Sequence, residues 1–83
     1  MKTDRDYIVW FHEISVKRSR VKVTLNDGTS FKGIARGPEE EVDEDGNHGI
    51  CVENLEPVDG ISVGNHLLYA FKEIKSIELL DAA

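Results

Sequence analysis

Between Arg20 and Gly33 the chain reads Arg-Val-Lys-Val-Thr-Leu-Asn-Asp-Gly-Thr-Ser-Phe-Lys-Gly, and few folds can accommodate that order. Val21, Val23 and Leu25 alternate with Lys22 and Thr24. A period of two puts the apolar side chains on one face of a strand and the polar ones on the other. Asn26-Asp27-Gly28 then supplies three residues that tolerate positive φ, which marks a tight hairpin turn. Phe31 resumes the apolar face on the return strand. Gly33 falls where a sharply bent strand needs a residue without Cβ.

The rest of the chain fits around this hairpin. Thr3 to Ser15 reads as a short helix, with Thr3 as its cap and Asp6 near the positive end of the dipole. Tyr7, Trp10 or Phe11, and Ile14 recur at helical spacing. A strand competes here, because Tyr7-Ile8-Val9-Trp10-Phe11 is a run of good strand formers. Strands are expected over residues 16–25, 29–36, 50–52, 67–71 and 76–80, with Gly37-Pro38 ending the second because Pro38 lacks a ladder donor. Glu56-Pro57-Val58-Asp59-Gly60 is turn chemistry. One helix and five short strands predict a single mostly-β domain over residues 1–83, a small, partly open barrel of the SH3-like kind. Val23, Leu25, Phe31 and Ile50 are its expected core.

Eighty-three residues bury only a modest core, so such a chain gains from disulfides, metal or self-association. A single cysteine, Cys51, excludes an internal disulfide and a cysteine-based zinc site, and the three histidines are scattered. Self-association is the support left. The lone thiol fits a reducing cytoplasm. No apolar run approaches a membrane span, and acidic residues interrupt the start of the chain where a signal peptide would be basic and apolar.

The net charge of −6 argues against general polyanion binding. Its distribution qualifies that. Residues 39–45 hold six acidic side chains, and the remainder holds ten acids and ten bases. From Lys17 to Arg36 six bases face one acid, Asp27. A basic hairpin is thus followed by one acidic loop.

The pattern V-x-V-x-L-x-D-G-x-x-F-x-G, carried by residues 21–33, resembles the first half of the Sm motif of the Sm/LSm/Hfq-like RNA-binding family. The resemblance covers residues 16–80 and extends to short phage-encoded Sm-like proteins. It implies an Sm-like five-stranded bent barrel with an N-terminal helix, a homo-oligomeric ring, and single-stranded RNA or an RNA-chaperone role. Two family loops can be sought. The first carries Asp-x-apolar-Asn; here Asp45-Gly46-Asn47-His48 stands in its place, one residue short and without the apolar residue. Asn47 could hydrogen-bond a base edge, His48 could stack on a base, and Asp45 could orient the amide. The same residues also make an ordinary turn. The second loop carries Arg-Gly between the last two strands; here it reads Phe71-Lys72-Glu73-Ile74. Lys72 keeps the charge without the planar fork of arginine, and Glu73 adds bulk and a negative charge where the family has glycine. Lys17, Arg18 and Arg20, beside the helix, form a second candidate RNA face.

Leu67, Leu68, Tyr69, Ala70 and Phe71 carry no charge to discourage a neighbour's strand, which makes them the candidate subunit interface. Glu41-x-Asp43-x-Asp45-Gly46 resembles the start of a calcium loop, but Val52 stands where the closing glutamate belongs. Cys51 lies between Ile50 and Val52 with His48 on the opposite strand face, which suits a buried thiol rather than a nucleophile. No catalytic set, cofactor motif, metal motif or small-molecule site is legible, so the chain reads as a non-enzyme. Two other readings stand beside the RNA-binding ring. One is an SH3-like protein-interaction or assembly module whose acidic loop meets a basic partner. The other is a structural or assembly part of a virus, or an enzyme accessory subunit.

Overall fold

The computed structural model describes residues 4–80. Thr3, the expected helix cap, lies outside the described residues. Helix α1 spans Asp4–Val16. The helical reading of the Tyr7–Phe11 run prevails because Phe11 and Ile14 are buried, and Tyr7 and Trp10 are half-buried beside them. The helix packs against the second strand. Residues 16–19 are not strand. Ser19 N donates to Ile14 O at 3.0 Å and Arg18 N to Ser15 O at 2.9 Å, closing the helix in a Schellman turn. Arg18 takes the left-handed conformation there, at φ 52°. A glycine would sit at that point without Cβ strain. Arg18→Gly should therefore stabilise the fold by about 0.5–1 kcal/mol, the left-handed penalty less the extra freedom of glycine in the unfolded chain. A urea midpoint that does not rise would contradict this.

Strands β1 (Arg20–Leu25), β2 (Ser30–Glu39), β3 (Gly49–Asn54), β4 (His66–Ala70) and β5 (Ile74–Leu79) form one antiparallel sheet in the order β4-β3-β2-β1-β5. The hairpin register pairs Val23 with Phe31 and Val21 with Gly33. Gly28 closes its turn at φ 94°, and Asp27 accepts the Thr29 amide at 2.8 Å. Those bonds from Thr29 hold the Asp27 carboxyl below its ordinary range. In the β3–β4 connection, Asp59 and Gly60 both take positive φ between Val58 and Ile61, which exchange two backbone hydrogen bonds. That is the two-residue turn the sequence chemistry favours.

Gly37-Pro38 does not end β2. The strand shifts register between Ala35 and Gly37, then runs on with Pro38 opposite Ile50. The β1 pairing reaches only to Ile34, so among the described residues this last part of β2 has a paired strand on one side alone. A proline is tolerated where one side of a strand is unpaired. β3 is longer than expected. Phe71 leaves β4 to open a short 3₁₀ turn, Phe71–Glu73, that leads directly into β5.

The core is built from the inward-facing residues of the sheet together with Phe11 and Ile14 of α1. Val21, Val23, Leu25, Phe31 and Ile50 are buried there with Phe11, Val52 and Leu67. A Cβ on Gly33 would come within 2.6 Å of Val52 Cγ2 and 2.8 Å of the Glu53 carbonyl oxygen. Close approach of β3, rather than an unusual φ, is what demands glycine there. Cys51 is buried, and that burial, with Glu39 nearby, pushes its thiol pKa up. Asn54 is the largest buried polar residue. Its amide donates to the carbonyls of Glu56 and Ser62 and accepts from Asn65 N, so it ties up the β3–β4 loop. The radius of gyration, 11.7 Å, matches a compact chain of this length. Among the described residues no helix is long and apolar enough to cross a membrane.

Candidate functional site

Two connections meet at one end of the sheet. The β2–β3 loop is closed by Asp43, whose carboxylate accepts the Asn47 side-chain amide at 2.8 and 3.1 Å and the Asn47 backbone amide at 3.1 Å. Val42 N also donates to Asn47 O at 3.0 Å. These bonds make a compact turn of 42–47. They lower the Asp43 pKa, the Asn47 side chain contributing most and the Lys72 charge least. The turn is then joined to the β4–β5 connection, because Phe71 N donates to His48 O at 3.0 Å. Lys72 Nζ lies 4.0 Å from Asp45 Oδ2 across the gap.

The β1–β2 hairpin turn supports the same end. Asn26 Nδ2 donates to Lys72 O at 2.6 Å and Asn26 N to Glu73 O at 2.9 Å. Between these parts lies an open cleft of about 450 Å³, lined by Leu25, Asn26, Asp27, Lys72 and Glu73. Among the described residues Lys72 is its only cation. The helix reaches the site as well. The Tyr7 ring stacks on Phe71 at 5.8 Å and 30°, and Trp10 meets Tyr7 edge-on at 6.3 Å.

Asp45, Asn47, His48 and Lys72 therefore gather at one end, but not in the roles their spacing suggests. Asn47 is oriented by Asp43, whereas Asp45 pairs with Lys72. His48 lines a separate 200 Å³ cleft with Ile8, Pro38, Glu39 and Glu40, facing the helix. Lys17, Arg18 and Arg20 are not part of this cluster. They are exposed at the start of β1, whereas Asn26 follows its end. Six residues of strand separate the two groups by about 20 Å. Arg18 instead lines a small cleft with Ser15, Ala35 and Arg36.

Of the interface candidates, Leu67 and Ala70 are buried in this chain's own core, Tyr69 and Phe71 are half-buried, and Leu68 is exposed. β4 and β5 are the two ends of the sheet order. Among the described residues each therefore offers one backbone edge with no neighbouring strand. Three contributors escaped the sequence reading. Asp43 reads as part of a calcium-like acidic run rather than as the partner of Asn47, Asn26 reads as a turn former only, and Tyr7 reads as helix core. Among the described residues no group of three or more His, Cys, Asp or Glu side chains is placed to hold a metal ion. Comparison with protein-family models, with curated proteins and with solved structures gave no match.

Proposed function

We propose that this chain is an Sm-like subunit that assembles head to tail into a homo-oligomeric ring and binds single-stranded RNA at the end where 45–48 meets 71–73. One observation carries the reading. The two stretches that stand in the place of the family's RNA loops are far apart in sequence, yet a backbone hydrogen bond from Phe71 to His48 and the Lys72–Asp45 pair bring them together. The sheet order supports the assembly. A bent five-strand sheet with free β4 and β5 edges can add a neighbour's strand at each end, and head-to-tail addition closes into a ring when the rotation allows. Leu68 on β4 and Leu79 on β5 are exposed apolar side chains that such pairing would cover. In this reading the protein works in the cytoplasm, where a single reduced thiol is stable.

The chemistry at that end is modest. Lys72 supplies attraction for phosphate, Asn47, fixed in place by Asp43, supplies a hydrogen-bonding amide, His48 offers a stacking ring from the neighbouring cleft beside 38–40, and the Tyr7–Phe71 pair stiffens the turn. Fluorescence anisotropy with short oligo-U and oligo-A at low salt tests the reading. Binding should weaken steeply with salt as counterions are released. Lys72→Ala should lower the salt slope by about 1, and Asn47→Ala and His48→Ala should each weaken binding. Charge reversal at Lys17, Arg18 and Arg20 should do so only if the helix-proximal face also contacts RNA. Absence of binding to either oligonucleotide by the assembled protein would favour a protein-interaction module without nucleic acid.

A further inference from the structure

The Lys72 ammonium is already engaged by a carboxylate of the acidic loop. We infer that the β2–β3 loop is an internal competitor for single-stranded RNA, with Asp45 occupying the place on Lys72 that a phosphate would take. This inference rests on the RNA-binding reading and describes how that same site is regulated.

Three observations carry it. The first is the pair itself, 4.0 Å from Lys72 Nζ to Asp45 Oδ2. The second is the way the loop is held. Asp43 anchors Asn47 through three contacts and accepts Asp45 N at 3.0 Å, and Phe71 N fastens His48 to the β4–β5 turn. Asp45 is thus presented to Lys72 by a built turn instead of by a freely moving chain. The third is charge. Six acidic side chains stand in residues 39–45, while Lys72 is, among the described residues, the only cation lining the adjoining cleft and shares it with Asp27 and Glu73. A phosphate approaching this end meets one positive charge that a carboxylate already offsets in part.

The contact is weak enough to be displaced. Both side chains are largely exposed, 59% for Lys72 and 81% for Asp45, and exposed pairs are screened by salt. An RNA strand that brings several phosphates would displace Asp45, whereas a single mononucleotide would compete poorly. The loop therefore raises the threshold for binding and favours polymeric ligands.

A double-mutant cycle on the full-length assembled protein tests this, with fluorescein-labelled oligo-U and oligo-A in low salt. Asp45→Asn should tighten binding by about 1.5- to fivefold, the range an exposed pair can supply. Glu41→Gln makes the same change in net charge without freeing Lys72, and should tighten it less. In the Lys72→Met background the Asp45→Asn gain should fall to that of Glu41→Gln, the part that net charge alone supplies. Equal effects of Asp45→Asn and Glu41→Gln, or an Asp45→Asn gain undiminished without Lys72, would overturn the internal competitor while leaving RNA binding intact. If no variant binds either oligonucleotide, the RNA-binding reading fails and the competitor fails with it.

Discussion

Phe31→Ala should destabilise the domain by about 3–5 kcal/mol, the usual loss when a buried phenylalanine is cut back to alanine. Phe31 is 1% exposed, lies opposite Val23 across the hairpin, and meets the Tyr69 ring at 5.8 Å. Its removal opens a cavity between β2 and β4 in a core that has few other aromatic side chains. Small domains hold a net stability of only about 5–15 kcal/mol, and a chain of this size sits towards the low end. The variant should be largely unfolded, or close to it, at physiological temperature. Urea unfolding followed by circular dichroism measures this, and an unchanged midpoint would show that Phe31 does not face the core.

The second large effect is expected at Gly49. A Cβ there would collide with the Tyr69 carbonyl oxygen and come within 2.8 Å of the Ala70 Cα. Both obstacles are backbone, so no rotamer change can relieve them. β4 must move away from β3 at the Gly49–Ala70 pair, which is also where the β2–β3 loop joins the β4–β5 turn. Gly49→Ala should cost about 3 kcal/mol, the upper part of the range for overpacking. It should also loosen the contact between His48 and Phe71. Gly46→Ala is the useful comparison, because its φ of +74° strains an alanine but the space around it is open. Equal stability of the Gly49→Ala and Gly46→Ala variants would contradict the close approach of β4.

The two glycines of the β3 contact differ in how they could be read. Gly33 sits inside an alternating strand, so its lack of a side chain stands out against Val21, Val23, Leu25 and Phe31. Gly49 follows Asp45-Gly46-Asn47-His48 and looks like one more turn residue. Its role comes from the nearness of β4, which local pattern does not encode. The hairpin and the buried set were legible because period-two alternation is a local signal of burial. The end of β2 was not. Pro38 is a sound strand breaker only where both sides of a strand are paired, and β1 no longer flanks β2 there. Val16 to Ser19 looked like strand by composition, but the Schellman turn at Arg18 claimed it.

The candidate site was legible as two separate stretches and illegible as a network. Asp45, Asn47, His48 and Lys72 drew attention through their place in the family pattern. The partner choices, Asp43 for Asn47 and Asp45 for Lys72, depend on how the loop folds back on itself and on the approach of the β4–β5 turn. Asn26 joins that network through its side chain because the hairpin turn and the 3₁₀ turn end at the same place. No spacing rule links residue 26 to residue 72.

Native mass spectrometry of the purified 83-residue chain at micromolar concentration tests the central claim most directly. A head-to-tail ring predicts one closed species with a fixed, integral number of subunits that persists on dilution, because closure satisfies both the β4 and the β5 edges. A monomer alone, or an open series of sizes that grows with concentration, would contradict it.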